Sequence, residues 1–275
     1  MVDNEKYKSK ASLENKIKGE KMDYDVIIIG AGIAGLTAGI YAGRAGKRVL
    51  ILERKIQGGQ IVNALKVENW PGKNEMSGLD LIQDIYKQAL KFGVEVVFEE
   101  VLDIKKQGEK FVAETSEAKY AASAVILATG AEPRKLSEKQ LKEVGSRAVS
   151  YCAMCDGALF KGKPVVVVGS GNTAKHEIEY LEGVASKVYR IHHDDPIPED
   201  AVAVFVAIGR VPATEKFAEL VDLDVNGYIL ADETCATSCP GVFVAGDCRT
   251  KAVRQLVTAA ADGAVAAEAA VQYLE

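Results

Sequence analysis

Cys152 and Cys155 stand three positions apart, and Asp156 follows directly, in the run Tyr151-Cys152-Ala153-Met154-Cys155-Asp156-Gly157. Two thiols at that spacing make a reversible redox centre. One thiolate attacks a disulfide, its neighbour resolves the mixed disulfide, and the adjacent acid can protonate the leaving sulfur. A C-x-x-C pair is also half of a zinc site, which would need a second pair of Cys or His. Cys235 and Cys239 supply such a pair, one residue wider and about eighty residues on, with Cys248 as the fifth cysteine. The sequence around the dithiol favours redox chemistry, because it builds a nucleotide site.

The elements that must position the pair read as two dinucleotide-type units. Val26-Ile27-Ile28-Ile29 is a continuous apolar run of the kind that forms a strand buried on both faces. It enters Gly30-Ala31-Gly32-Ile33-Ala34-Gly35, a G-x-G-x-x-G, after which a helix is expected over 36–45 and a strand over 48–52, ending at Glu53. The first glycine permits the tight turn, the second lets the backbone approach a pyrophosphate, and the third lets helix and strand pack closely. The helix N-terminus offers N–H donors to the phosphates. Glu53, 18 residues past Gly35, is placed to take ribose hydroxyls. Turn chemistry at Gly58-Gly59-Gln60 and 68–72, an amphipathic helix over 79–92 and strands over 94–98, 101–105 and 111–115 follow. A buried strand over 124–127 ends in Ala128-Thr129-Gly130, small enough for a cofactor to lie against the backbone.

After the dithiol the pattern restarts. A strand over 164–168 feeds Gly169-Ser170-Gly171-Asn172-Thr173-Ala174, a G-x-G-x-x-A, then a helix to 182 and a strand over 187–191. From Gly30 to Gly130 is 100 residues, whereas from Gly169 to the analogous Gly209 is 40. A helix-plus-hairpin section of the first unit has no counterpart in the second. Residues 228–230 then read as a short strand, 241–247 as a buried strand ending in Gly246-Asp247, and 254–273 as an Ala-rich helix. Asp247 can hold ribityl or phosphate oxygens, or simply cap a helix.

Bulk properties narrow the partners. A chain of 275 residues with 48% apolar and 27% charged residues can hold two globular domains. A net charge of −5 with no basic stripe gives no expectation of nucleic-acid binding. The longest apolar runs are strand-length, so no membrane partner is expected. Residues 1–22 are Lys/Glu-rich, lack an apolar leader and read as a solvated extension. Five cysteines fit a reducing, cytoplasmic setting.

The ordered set of motifs resembles the low-molecular-weight thioredoxin reductase family, whose members carry a G-x-G-x-x-G, an E-N-[FW]-P-G loop, an A-T-G strand end, C-A-x-C-D-G, and a terminal G-D followed by R-Q. Here these are residues 30–35, 68–72, 128–130, 152–157, Gly246-Asp247 and Arg254-Gln255, so the resemblance covers 24–275. It implies an α/β, two-domain, Rossmann-like flavoprotein disulfide reductase: a discontinuous FAD-binding domain over 23–134 and 207–275, and a small dithiol domain over 135–206. It further implies FAD as cofactor, bounded by Gly30, Gly32, Gly35, Glu53, Gly59, Gln60, Asn69, Ala128, Thr129, Gly130, Gly246, Asp247, Arg254 and Gln255. Cys155 is then the thiol nearest the flavin, Cys152 the one that attacks thioredoxin, and Asp156 the general acid. A homodimer is expected by the same analogy.

One departure stands out. NADPH users of this family carry H-R-R-x-x-x-R after the second strand of the inserted domain, to grip the 2′-phosphate. The aligned stretch here is His192-His193-Asp194-Asp195. Exchanging guanidinium forks for carboxylates beside a dianionic phosphate is unfavourable twice over. With the shortened second unit, this makes the chain most similar to the ferredoxin-dependent flavin thioredoxin reductases, which lack the NADPH motifs. The expected activity is electron transfer from a ferredoxin through FAD and Cys152/Cys155 to thioredoxin, with Lys175, Lys187, Arg190, His192 and His193 as contacts for an acidic donor. A deazaflavin donor, an NADPH-dependent thioredoxin reductase with a degenerate nucleotide site, and a flavoprotein redox sensor that does not turn over are the alternatives. Gly169 to Ala174 then becomes a packing turn without its ligand. Cys235 and Cys239 read as buried or incidental thiols, and Cys248 as a small residue packed near the flavin.

Overall fold

The computed structural model describes residues 22–64, 66–192 and 195–275. The N-terminal extension before Met22, and His193 and Asp194, lie outside the described residues. The chain forms two compact units, one made of residues up to Ala131 together with Pro212–Glu275, the other of Glu132–Val211.

The first unit opens with β1 (Met22–Ile29), α1 (Ile33–Arg44) and β2 (Val49–Leu52), then a short 3-10 helix (Gly59–Asn63), α2 (Gly78–Lys91) and β3 (Glu95–Val97). A hairpin, β4 (Val101–Gln107) and β5 (Lys110–Thr115), leads into β6 (Lys119–Leu127), and β7 (Ala131–Pro133) leaves the unit. The second unit contains α3 (Glu138–Val144), β8 (Ala148–Ser150), α4 (Ala153–Asp156), β9 (Pro164–Val168), α5 (Asn172–Glu182), β10 (Lys187–Ile191), β11 (Ala203–Val206) and β12 (Arg210–Pro212). The chain then returns to the first unit for β13 (Val242–Val244) and α6 (Leu256–Tyr273).

In the first unit the sheet runs β3-β2-β1-β6-β5-β4, with β13 also on β6. β6 is long enough to serve two neighbours: its first half pairs antiparallel with β5 and its second half pairs parallel with β13. The five strands β3, β2, β1, β6 and β13 are parallel. The apolar run 26–29 is continuous because both faces of β1 are covered. Val26 and Ile28 face α1, α2 and α6, while Ile27 and Ile29 face a second cluster that contains Phe111, Phe217 and Val221. Burying each such side chain contributes about 1.5–3 kcal/mol. The alanine content of α6 has a packing cause: a Cβ on Gly263 would fall 2.3 Å from Ala34 O, so only small residues let α6 approach α1.

In the second unit the sheet runs β10-β9-β11-β8, all parallel. One face carries α4 and α5 on Val165, Val167 and Phe205, and Leu136 and Val144 of the α3 segment cover Val166, Val168 and Val204 on the other. Between β10 and β11 no helix or strand occurs among the described residues, whereas α2, β3, β4 and β5 separate β2 from β6 in the first unit. Among the described residues no helix is long and apolar enough to cross a membrane.

Most expected elements occur within three residues of the predicted ends, but β1 begins four residues and β6 five residues before the expected starts. Residues 228–230 do not form the expected strand: Ile229 makes only isolated bridges, to Leu223 and Arg249. The sequence reading missed α3, β8, β7 and β12, segments too short to show a period.

Candidate functional site

The dithiol lies in the second unit at the end of β8, where Ser150 closes the strand and Cys152 caps the four-residue helix α4. Cys152 and Cys155 are joined as a disulfide. Cys152 is half-buried and Cys155 exposed, while Ala153 between them is fully buried in the core under α4. The helix is short because it is anchored at one residue and exposed on its outer side, where Met154 is 55% exposed. Ser150, which the sequence reading passed over, organises the acid. Its hydroxyl donates to Asp156 Oδ2 at 2.6 Å and accepts the Cys152 N–H at 3.1 Å. One buried hydroxyl thus fixes both the entry to the redox helix and the carboxyl at its far end. The only signal was a hydroxyl two positions before the first thiol at a strand end.

The residues expected around FAD all fall in the first unit. Strand order reverses at β1/β6, the arrangement that opens a ligand crevice at the carboxyl ends of a parallel sheet. Three strand ends carry the small-residue motifs: β1 runs into Gly30, β6 into Ala128-Thr129-Gly130, and β13 reaches Gly246-Asp247 through Ala245. A Cβ on Gly30 would lie 2.4 Å from Ala128 O, and its φ of +107° suits glycine alone, so the two ends touch backbone to backbone. Gly35 abuts Gly30 O, and a Cβ on Gly246 would lie 2.9 Å from Ala34 Cβ, which ties the third end to the first turn of α1. Gly32 caps α1 with no side-chain hydrogen bond, and no atom lies within 4 Å of where its Cβ would be. Uncapped N–H groups beside open space fit a phosphate. Glu53 lies beside them: its Oε2 accepts the Ala31 N–H at 2.8 Å and its Oε1 the Lys55 N–H at 2.9 Å. Each oxygen keeps a lone pair for a hydroxyl.

The remaining members form smaller groups. Gln60, one residue after Gly59, donates its amide to Ala131 O. Asn69 donates to Gln255 Oε1 at 3.1 Å, joining the 68–72 loop to the start of α6. Arg254 stacks 4.1 Å over the Tyr228 ring and donates to Asp247 O and Arg249 O. Under Gly246, Asp262 accepts its N–H at 3.0 Å and pairs with Arg249 and Lys251.

In the second unit the turn at Gly169 repeats that of Gly30, but the end of β10 does not repeat that of β2. There Asp195 accepts the His192 N–H at 2.7 Å, putting a carboxylate at the strand terminus. Two of the cations expected to meet an acidic donor are already engaged. Arg190 pairs with Glu182, and Lys187 bonds Tyr189, which in turn donates to Asp200. Lys175 and His192 are exposed.

The other thiols lie in the first unit. Cys235 and Cys248 are buried and Cys239 half-buried, and none is in a disulfide. Burial pushes the Cys235 thiol up to about 11, so it stays protonated at neutral pH.

Comparison with known proteins supports the fold. The pyridine nucleotide-disulphide oxidoreductase family model matches residues 24–201 and 191–263. A thioredoxin reductase of Listeria innocua is 37% identical, with 93% of this chain and 95% of that protein covered. That alignment spans 305 positions, more than the 275 residues available here, so the relative carries residues this chain lacks. The crystal structure of a thioredoxin reductase from Streptococcus pyogenes superposes with a TM-score of 0.85 at 33% identity, covering 93% of this chain and 99% of that one. A ferredoxin-flavin thioredoxin reductase from Clostridium acetobutylicum gives a TM-score of 0.60 at 27% identity, covering 92% and 97%. The resemblance to the ferredoxin-dependent type is thus the more distant one. Members of the family bind FAD, and FAD is the cofactor here. The chain belongs to the pyridine nucleotide-disulphide oxidoreductase family, as a homologue of the thioredoxin reductases within it.

Proposed function

We propose that this protein reduces thioredoxin with electrons that reach FAD from a ferredoxin, and that the small unit is a dithiol carrier with no working NADPH site. FAD, when bound, accepts electrons singly and delivers them in pairs. The residues from Gly30 to Gly35, with Glu53, would hold its pyrophosphate and ribose. Gly59, Gln60, Asn69, Ala128 to Gly130, Gly246, Asp247, Arg254 and Gln255 would bound the rest.

Two electrons open the Cys152–Cys155 bond to a dithiol. The Cys152 thiolate then attacks the thioredoxin disulfide: a bond forms between the two proteins, the thioredoxin bond breaks, and Asp156 protonates the leaving sulfur. Attack by Cys155 on Cys152 re-forms the internal disulfide and releases the second thioredoxin thiolate. Ser150 holds Asp156 for that transfer. Homodimer assembly is carried over from the family resemblance, and a cytoplasmic location from the cysteine usage.

The observation that carries the donor assignment is Asp195 at the end of β10, with Arg190 committed to Glu182, where a 2′-phosphate would need free guanidinium groups. A second reading, direct use of NADPH, has its own support in Gly171, which caps α5 with open space around it as Gly32 caps α1. The Listeria innocua relative, 37% identical, is named simply as a thioredoxin reductase. An anaerobic titration of the purified flavoprotein separates the two. Bleaching of the flavin band by reduced ferredoxin, with NADPH inert and thioredoxin restoring the oxidised spectrum, is the expected result. Rapid bleaching by stoichiometric NADPH would overturn the donor assignment.

A further inference from the structure

Beneath the redox helix lies a carboxyl group that the chemistry above leaves unused. Glu177 projects from the second turn of α5 and meets the N–H of Ala153, the residue directly after Cys152. Its Oε2 is buried and has no hydrogen-bond partner. The contact is fixed by packing. Ala153 is fully buried against Ala174, Ile178 and Leu181, and a Cβ on Gly157 would fall 2.8 Å from the Tyr180 ring and 3.0 Å from Leu181. The redox helix is thus packed closely on α5, with Glu177 beside its first turn. The charged groups acting on the carboxyl are Asp156 of α4 and Arg210 of β12, whose guanidinium also donates to Tyr151 O at 3.5 Å.

We propose that Glu177 is a positioning residue of the dithiol that holds a proton beside it, taking the proton up when the Cys152–Cys155 bond opens and releasing it when the bond re-forms. This rests on the dithiol being the redox centre. Two electrons, from reduced flavin in turnover or from a small dithiol in the test, break the S–S bond and leave two thiolates. One proton from solvent goes to a thiolate. The second negative charge is offset when Glu177 takes another, so the protein binds more protons in the reduced state. The oxidised protein is poised for this. Burial pushes Glu177 up to about 7, against the opposing pulls of the Ala153 N–H and Arg210 and with a further push from Asp156. By reciprocity, a neutral Glu177 favours thiolate formation and an ionised one opposes it.

The test is the pH profile of Cys152 alkylation by iodoacetamide in the flavin-loaded protein after reduction with dithiothreitol, with the modified peptide identified by mass. Glu177→Gln keeps an acceptor for the Ala153 N–H and removes the charge. Below roughly pH 6 both proteins carry a neutral side chain and should react alike. At alkaline pH, once the wild-type Glu177 has lost its proton, the variant should react about threefold or more faster, because the wild-type carboxylate holds back the neighbouring thiolate. A rate ratio that does not change with pH would overturn the proposal. Infrared difference spectra of the wild-type protein, oxidised minus reduced, give a second reading that needs no variant: reduction should add a protonated-carboxyl band, and its absence would equally overturn the idea. Should dithiothreitol fail to open the disulfide in either protein, the dithiol reading itself falls and this inference with it.

Discussion

At the first turn a Cβ on Gly30 would lie 2.4 Å from Ala128 O; at the second, one on Gly169 would lie 2.3 Å from Ala207 O. The same backbone-to-backbone approach joins the ends of two parallel strands in each unit, and Gly32 and Gly171 cap the following helices in the same extended conformation. What stands beside the turns differs. In the first unit Glu53 reaches back to Ala31 inside the turn, and three strand ends close round it. In the second, Asp195 bonds the terminus of β10, and only Ala207, Ile208 and Gly209 separate the adjoining strand from the exit segment β12. A glycine turn of this kind is a solution to packing a helix on a strand, whether or not a nucleotide lies on it. The neighbouring side chains decide whether it is a site.

One substitution placed in both turns breaks or sharpens this contrast most strongly. Valine fits either cap without strain, because each glycine is extended with open space beside it. On the proposed reading, the side chain of Gly32→Val would fill the open space where the FAD phosphates would lie. Losing one or two charge-assisted hydrogen bonds, at ~1.5–3 kcal/mol each, should weaken flavin retention about 100-fold or more, read by absorbance after gel filtration. At Gly171→Val the flavin should stay, and ferredoxin-driven thioredoxin reduction should change less than about twofold, within the ordinary range of exposed substitutions. A comparable loss of turnover at Gly171→Val would mean that the second turn binds a nucleotide after all.

The contrast was partly legible in the sequence. The runs 26–29 and 164–168, each followed by a glycine turn, declare buried parallel strands because alternation disappears when both faces are covered. The unequal distances from Gly30 to Gly130 and from Gly169 to Gly209 already indicate that the section between β2 and β6 has no counterpart between β10 and β11. Other parts were not legible. β8 has three residues and α4 four, too few for any period to emerge, yet together they carry the dithiol. Ser150 and Glu177 act through contacts made six and 24 positions along the chain, to Asp156 and Ala153 respectively, distances at which no local motif reports. The cations on β10 look available in the sequence and are engaged in the fold, because Glu182 and Asp200 come from neighbouring segments.

A second experiment probes the small unit's claim to the chemistry. Asp156→Asn should slow thioredoxin reduction about 100-fold, the ordinary worth of a placed general acid. Ser150→Ala leaves the carboxyl present but removes the 2.6 Å bond that aims it, so a smaller loss, about tenfold, is expected. Flavin content should be unchanged in both, since every residue touched lies in the second unit. Single-turnover kinetics of the pre-reduced enzyme with thioredoxin measure the step directly. Equal losses for the two variants would mean that Ser150 acts by holding the redox helix and not by aiming the acid.

The smallest effect is expected where the first unit carries thiols of its own. Cys235 is 1% exposed, and burial holds its thiol at about 11, so its thiolate fraction at neutral pH is negligible beside that of an ordinary cysteine near 8.5. Cys239 is half-buried and its neighbour's Sγ points to Asp262 O at 3.7 Å, not to a second sulfur. Replacing both by Ser should therefore leave thioredoxin reduction within about twofold of wild type, while the buried hydroxyl at 235 costs about 1 kcal/mol of stability that a thermal melt would register. A large loss of turnover with the melt unchanged would show that the first unit relays electrons through its own thiols, and the division between a cofactor unit and a dithiol unit would no longer describe this protein.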